Sequence, residues 1–265
     1  MPNTPLDPNR ILAETFVARV EHYASIDSTN DRAKQLAQQG AGPLPLLIVA
    51  EEQTAGRGRG VSRWWTGRGS LAMSLMLPPP TDNAVEQGRP SMAALAAAMA
   101  VVDTVAPLLP EVVLGIQWPN DVMAADRKLA GILVEVLSDR RSILGIGVNT
   151  NNTMADAPAE LRGVATTLRD LTGRPYDATE LLIALLGSLQ TRLRQAADAP
   201  ETLGRQVDCV CLQRGQTLAL ELGGREITGV CRGIAPDGGL ILELPDGCQQ
   251  RFYSGTLRHR PRLRS

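Results

Sequence analysis

The chain has 265 residues, 43% of them hydrophobic, which is enough for one large domain and a small second one. Its formal net charge of -1 argues against bulk nucleic-acid binding, which needs a basic surface. No apolar run approaches the ~20 residues that cross a bilayer, and the N-terminus lacks the basic start and apolar core of a signal peptide. We therefore expect a cytoplasmic protein that binds neither nucleic acid nor membrane.

The N-terminal part is predicted to begin irregularly and then to alternate strands with a helix. Residues 1–14 are expected to form a flexible tail, because three prolines in the first ten residues block regular structure. A strand is predicted next, followed by a helix that Asp27 or Ser28 caps and Gly40 stops. The apolar run LLIVA predicts a buried strand, and a long loop rich in glycine and arginine separates it from another strand.

The middle of the chain is predicted to mix helices and strands. An alanine-rich segment, apolar on most sides, predicts a buried helix, and an amphipathic helix follows later. Two of the strands between them form a hairpin around the charged turn 139–141. These elements lie at residues 91–109, 111–118, 128–138, 142–151 and 179–196. Their order predicts an α+β fold with a mostly antiparallel sheet.

The pattern of predicted strands and turns changes near residue 204. Beyond it, short strands alternate with glycine turns roughly every ten residues, which is typical of a small β barrel or sandwich. We therefore divide the chain into a tail at 1–14, a large domain at 15–203 and a C-terminal domain at 204–265. All four cysteines lie in the last part, and their spacing differs from that of zinc sites, so we expect reduced thiols in the core.

The loop Gly56–Gly60 (GRGRG) is the first candidate for chemistry. It matches neither the Walker A pattern nor G-x-G-x-x-G. Its alternating glycines allow close approach of the backbone to a ligand, and Arg57 and Arg59 supply cationic forks for phosphate or carboxylate oxygens. The alternative is a flexible, solvated loop. Trp64 and Trp65 nearby favour a lid that stacks on a ring and excludes water.

Three further segments carry polar groups at the ends of strands or glycines within them. Asn120 and Asp121 follow a predicted strand, and Lys128 enters an apolar strand three residues before Gly131. The segment GIGVN places two glycines in a strand that ends at Asn149. Each alone has an ordinary structural explanation: a turn, a lysine at a strand edge, and a β-bulge.

Taken in series, five motifs resemble those of the biotin–protein ligases over residues 15–260. They are Ser28-Thr29-Asn30, Gln53 before GRGR, Trp118-Pro119-Asn120-Asp121, KLAGILVE from Lys128, and GIGVN from Gly145. The resemblance implies a catalytic domain like that of class II aminoacyl-tRNA synthetases, an antiparallel or mixed sheet with helices. It also implies a C-terminal domain like an SH3 barrel.

The resemblance further implies an activity and a set of site residues. Such a ligase adenylates biotin with ATP and Mg²⁺, and transfers it from biotinyl-5'-AMP to a lysine of the biotin carboxyl carrier domain of acetyl-CoA carboxylase or a related carboxylase. Catalysis would fall to Lys128, Arg59 and Asp121, and no residue is assigned as a metal ligand. Biotin would be bound by Ser28, Thr29, Asn30, Gln53, Arg57, Gly58, Arg59, Lys128 and Gly131. The nucleotide would be bound by Arg63, Trp64, Asn120 and Asn149.

The sequence also departs from the family's pattern. Gly60-Val61-Ser62 interrupts the usual continuation of GRGR, so Arg63 is the candidate replacement for a missing arginine, and Gln117 stands where a lysine often precedes WPND. The segment before Ser28 is too short for the DNA-binding domain of some members, so we expect the ligase-only type. Two alternative functions remain open: a lipoate or octanoyl ligase, and a non-catalytic biotin-binding module. The oligomeric state is also open, with a homodimer as one alternative.

Overall fold

A computed structural model describes residues 6–40, 42–80 and 90–257 of the chain. Six α-helices and twelve strands lie in these ranges. The helices are α1 (Pro8–Glu14), α2 (Thr29–Gln38), α3 (Pro90–Val105), α4 (Leu168–Thr172), α5 (Ala178–Asp198) and α6 (Pro200–Cys209). The strands are β1 (Arg19–Tyr23), β2 (Leu46–Ala50), β3 (Leu71–Leu77), β4 (Leu114–Gln117), β5 (Asp121–Ala124), β6 (Arg127–Val136), β7 (Ser142–Val148), β8 (Thr217–Leu222), β9 (Arg225–Ile234), β10 (Leu240–Glu243), β11 (Gln249–Phe252) and β12 (Thr256–Leu257).

The larger sheet has seven strands in the order β1-β2-β3-β7-β6-β5-β4. Only the β1–β2 pair of this sheet is parallel, and the other neighbours are antiparallel. Successive side chains of a strand point to opposite faces. On β2, Leu47 and Val49 therefore join the large core with α3 and α5, while Leu46 and Ile48 join a smaller core with α2. The predicted α+β architecture with an antiparallel or mixed sheet is confirmed.

Helix α3 lies in the core against α5 and β6. Its segment Ser91–Leu108 has a mean hydropathy of 1.7 and is long and apolar enough to cross a membrane by composition. The expectation that no apolar run approaches the length of a membrane span was therefore wrong for this segment. The segment is 61% buried within the protein, as expected when a core helix is apolar on all sides.

Two elements differ from the sequence-based expectations. Helix α1 occupies part of the predicted tail, because Asp7 caps it by accepting from the amides of Asn9 and Arg10, and Pro8 is tolerated in a first turn. Ile11 anchors this helix in the core. Residues 1–5 of the tail lie outside the described residues. Strand β5 was missed, since only four residues separate the WPN turn from the next turn.

The smaller sheet has five antiparallel strands in the order β11-β10-β9-β8-β12. It begins at Thr217, whereas helix α6 crosses the predicted boundary at residue 204. The four cysteines are free, as expected, and Cys231 is buried in the core. The expected core position is wrong for Cys209 and Cys248, which are exposed. Residues 258–265 of the predicted C-terminal domain lie outside the described part of the chain.

Trp118 joins the two sheets. Its backbone amide donates to Oε1 of Gln213 at 2.7 Å, and its indole Nε1 donates to the carbonyl of Gly238 at 3.1 Å. The backbone of Ile116 on β4 also bonds to Val210 and Leu212, which covers that edge of the larger sheet. These contacts hold the second sheet beside the turn 118–120, where the cavity described next opens.

Candidate active site

One cavity of about 520 Å³ gathers almost all of the residues singled out in the sequence. Its volume falls in the ordinary range for small-molecule sites. The predicted residues that line it are Ser28, Thr29, Asn30, Gln53, Arg57, Gly58, Arg59, Arg63, Trp64, Asn120, Asp121, Lys128 and Gly131. Five motifs that are far apart in the chain therefore meet at one place, formed by α2, the glycine–arginine loop and strands β3 to β7.

Helix α2 begins at the cavity with a chain of hydroxyl and amide groups. Ser28 caps the helix, and Oε1 of Gln53 accepts from the amide of Thr29 at 2.9 Å and lies 3.0 Å from the hydroxyl of the same residue. The hydroxyl of Ser74, fully buried on β3, lies 2.7 Å from that of Thr29 and 2.5 Å from Oδ1 of Asn30. These polar groups are fixed by one another before any ligand arrives.

Behind this wall, Glu135 on β6 accepts from three donors. They are Nδ2 of Asn30 at 2.9 Å, Nζ of Lys34 at 2.8 Å, and the guanidinium of Arg57. Burial opposes ionisation of the carboxyl, but these hydrogen bonds outweigh burial and hold the pKa of Glu135 below its ordinary value of 4.5. Arg57 thereby connects the glycine–arginine loop to the larger sheet.

Glycines on two neighbouring strands form the floor beneath Trp64. Gly131 on β6 and Gly147 on β7 are direct partners in the sheet. A Cβ on Gly147 would lie 2.3 Å from Cε2 of the Trp64 indole, and one on Gly131 would lie 3.1 Å from its Cζ3. The absence of side chains at these two positions therefore lets the indole rest on the sheet.

Lys128 and Asp121 form an ion pair inside the cavity. Nζ of Lys128 lies 2.7 Å from Oδ1 of Asp121, and 5.6 Å from the centre of the Trp64 ring. Both charged side chains are mostly buried, at 28% and 22% exposure. The carboxylate and the ring hold the ammonium group in one position, as expected for a cation that must meet a ligand in a fixed geometry.

Arg59 reaches from the loop to the second sheet. Its guanidinium donates to Oδ1 of Asn120 at 3.3 Å and to the carbonyl of Gly255 at 2.9 Å. Burial lowers the pKa of Arg59 from its ordinary value, against the opposing effect of the Asp121 charge. The guanidinium stays cationic at neutral pH. Glu221, Thr256 and Leu257 of the second sheet also line the cavity.

Asn149 and Arg63 differ from the other predicted residues in their surroundings. Asn149 does not line the cavity as the structure describes it; its side chain accepts from Asn152 at 3.2 Å, and its backbone bonds to Leu129 and Leu168. Arg63 lines the cavity but is exposed at its rim. Ser74 was not predicted as a site residue, and Glu135 was given no role although it ends the KLAGILVE motif; a polar residue in an apolar strand was a usable signal for both.

Comparisons with known proteins agree with this geometry. Residues 23–151 match the model of the Biotin/lipoate A/B protein ligase family, and residues 215–260 match that of the Biotin protein ligase C terminal domain. The chain is 36% identical to a biotin–[acetyl-CoA-carboxylase] ligase of Mycobacterium tuberculosis, over 91% of each chain. It is 31% identical to the bifunctional ligase/repressor BirA of Bacillus subtilis, over 89% of this chain and 72% of that one.

A solved structure shows the same fold. The biotin protein ligase of Aquifex aeolicus, in complex with biotin and ATP, superposes with a TM-score of 0.79 at 27% identity. The match covers 92% of this chain and all of the other. With both family models matched in chain order and relatives similar over nearly its whole length, this chain belongs to the biotin protein ligase family.

Proposed function

We propose that this protein is an enzyme that ligates biotin to a lysine of a carrier domain, with ATP, through biotinyl-5'-AMP. One observation supports this best: Lys128 and Arg59 lie in the same cavity as the polar chain around Thr29 and Gln53. An enzyme that adenylates a carboxylic acid needs both parts, a shaped site for the acid and cations for the reacting oxygens.

The end of the cavity at α2 suits biotin. The ureido ring of biotin has a carbonyl acceptor and two N–H donors, which the hydroxyls of Ser28 and Thr29 and the amide of Gln53 can pair. The sulfur ring and the acyl chain are apolar, and Met73 and Ile146 line the same cavity. We assign biotin to Ser28, Thr29, Asn30, Gln53 and the loop residues Arg57 and Gly58, with Gly131 beneath its chain.

The charges of the cavity suit the first reaction step. Four cations line it, Arg57, Arg59, Arg63 and Lys128, against the carboxylates Asp121 and Glu221. Attack of the biotin carboxylate on the α-phosphate of ATP brings two anions together, so this excess of positive charge lowers the barrier. Lys128 holds the carboxylate and phosphate oxygens, and Arg59 closes over them from the loop.

The nucleotide would lie beside Trp64 and Asn120, with Arg63 at the rim. Mg²⁺ binds substrate phosphates with one or two carboxylates, and Glu221 of the cavity lining is the carboxylate that would hold it, since Asp121 is paired with Lys128; the described residues include no group of three or more metal-ligating side chains. Mg²⁺ bound there would neutralise phosphate charge. Asn149 would act through the strand end that it stabilises and not by contact with the nucleotide.

In the second step the amine of the carrier lysine attacks the acyl carbon of biotinyl-5'-AMP, the bond from that carbon to the phosphate oxygen breaks, and AMP leaves. The mixed anhydride of biotin and AMP hydrolyses readily, so the glycine–arginine loop must exclude water while it forms. The attacking amine must lose a proton, and Asp121 is the cavity carboxylate that we assign to accept it, besides orienting Lys128. We propose a biotin carboxyl carrier domain of acetyl-CoA carboxylase or a related carboxylase as the partner, and the cytoplasm as the location.

Transfer of labelled biotin to a carrier domain tests this function. We expect the label on the carrier only when ATP and Mg²⁺ are present, and none when lipoate replaces biotin. The match of residues 215–260 to the Biotin protein ligase C terminal domain favours biotin over lipoate. Label transfer without ATP, or equal transfer of lipoate, would contradict the proposal.

A further inference from the structure

Glu135 lies one layer behind the cavity wall. It interrupts the apolar part of β6, and its carboxylate is held between helix α2 and the glycine–arginine loop. Two of its three partners, Asn30 and Arg57, line the cavity, whereas Glu135 itself is not among the described lining residues. A change at Glu135 can therefore reach a ligand only through these two neighbours.

The charge of Glu135 fixes the orientation of the Asn30 amide. A carboxylate only accepts hydrogen bonds, so Asn30 turns Nδ2 toward Glu135 and Oδ1 toward Ser74. The hydroxyl of Ser74 has one hydrogen. Given to Oδ1 of Asn30, it leaves Ser74 to accept from the Thr29 hydroxyl at 2.7 Å, and the Thr29 hydrogen is then not available to Oε1 of Gln53. The charge of Glu135 thus determines which group donates and which accepts in the hydrogen bonds of the polar wall.

The same carboxylate balances the cations beside the wall. The guanidinium of Arg57 is shared between Glu135 and Asp31, with 3.2 Å between its Nε and Oδ1 of Asp31. Lys34 occupies the other oxygen of Glu135 at 2.8 Å. Two carboxylates therefore face two cations, and this pairing holds the first arm of the loop against α2. Removal of the Glu135 charge leaves an excess cation and frees Arg57 to move.

From these contacts we infer that Glu135 is a positioning residue for biotin binding. Its carboxylate holds the Asn30 amide and the Arg57 guanidinium in the orientation in which they contact biotin. The inference rests on the proposed function. It predicts an effect on biotin binding and on the KM for biotin, and little effect on the KM for ATP, because Lys128 and Arg59 on the other side of the cavity do not contact Glu135.

Two variants of the full chain test the inference by calorimetric titration with biotin in the absence of ATP. Glu135→Gln keeps the shape but removes the charge, and we expect a Kd for biotin about tenfold higher, since a hydrogen bond to a charged group is lost. Glu135→Asp keeps the charge on a shorter arm and should give an intermediate Kd. Glu243→Gln is the matched control, a glutamate on β10 that is paired with Arg232 at 2.6 Å, away from the cavity.

The outcomes separate the inference from the proposed function. Higher Kd values for both Glu135 variants, in chains that remain folded at the titration temperature and keep an unchanged KM for ATP, support the positioning role. Wild-type affinity in a folded Glu135→Gln variant overturns it. If that variant does not fold, wild-type affinity in Glu135→Asp overturns it instead. A wild-type chain that does not bind biotin refutes the proposed function, and the inference with it.

Discussion

Substitution of Lys128 by alanine probes the reacting end of the cavity. The change removes the ammonium group 2.7 Å from Asp121 and leaves that carboxylate without its ion-pair partner, so negative charge remains where two anions must meet. Loss of one group that stabilises developing charge typically costs about 3–4 kcal/mol of barrier, or roughly 10²- to 10³-fold in rate. We expect a loss of this size in adenylate formation.

The folded state should tolerate the same substitution. The side chains of the pair keep 28% and 22% exposure, so solvent still reaches part of the Asp121 carboxylate that is left unpaired, and the free energy of unfolding should fall by about 1–3 kcal/mol. The assay is single-turnover formation of biotinyl-5'-AMP, with urea unfolding measured in parallel. Arg127→Ala is the matched control, because Arg127 precedes Lys128 on β6 and does not line the cavity. A Lys128→Ala variant as fast as this control would refute the assigned role.

Three further substitutions test other parts of the structure. Gly147→Ala would place a Cβ 2.3 Å from the Trp64 indole, so we expect a displaced ring, visible as changed tryptophan fluorescence, and a raised KM for ATP; an unchanged spectrum would contradict this contact. Gly204→Ala would place a Cβ 2.2 Å from the backbone oxygen of Pro236, in the turn between β9 and β10, and should lower the free energy of unfolding by about 1–3 kcal/mol. Gly187→Ala, in open space on α5, should raise it by about 0.5–1 kcal/mol. Because the pKa of Glu135 is lowered in the folded state, the ionised carboxylate stabilises the fold above about pH 4.5. This stabilisation is lost as the pH falls through the lowered pKa. The difference in unfolding free energy between wild type and Glu135→Gln should therefore be constant well above pH 4.5 and shrink as the pH falls below it, and a difference that stays constant on acidification would contradict this.

Much of the site could be predicted from the sequence because its groups follow local rules. Ser28 caps a helix, Lys128 interrupts an apolar strand, and the glycines of GRGR and GIGVN permit close approach of a backbone or ring. Each signal depends on residues next to one another in the chain. Their convergence could be inferred only from the resemblance to a known family, since spacing alone does not place α2 beside β6.

The parts that were missed depend on long-range contacts. Glu135 meets Asn30 across 105 positions of sequence, and Arg59 meets Gly255 across 196. Trp118 belongs to the recognised WPND motif, yet its side chain joins the two sheets and is not part of the cavity's polar wall. Helix α1 was missed for a different reason: the prolines concealed a capped first turn that is stabilised by burial of Ile11.

Biotin-dependent exchange of pyrophosphate into ATP, measured with the purified chain and no carrier domain, tests the central claim most directly. The exchange requires reversible formation of biotinyl-5'-AMP, which neither a biotin-binding module nor a ligase specific for lipoate would catalyse. We predict exchange that depends on biotin and is lost in Lys128→Ala. Absence of exchange in a folded chain that still binds biotin would contradict the account.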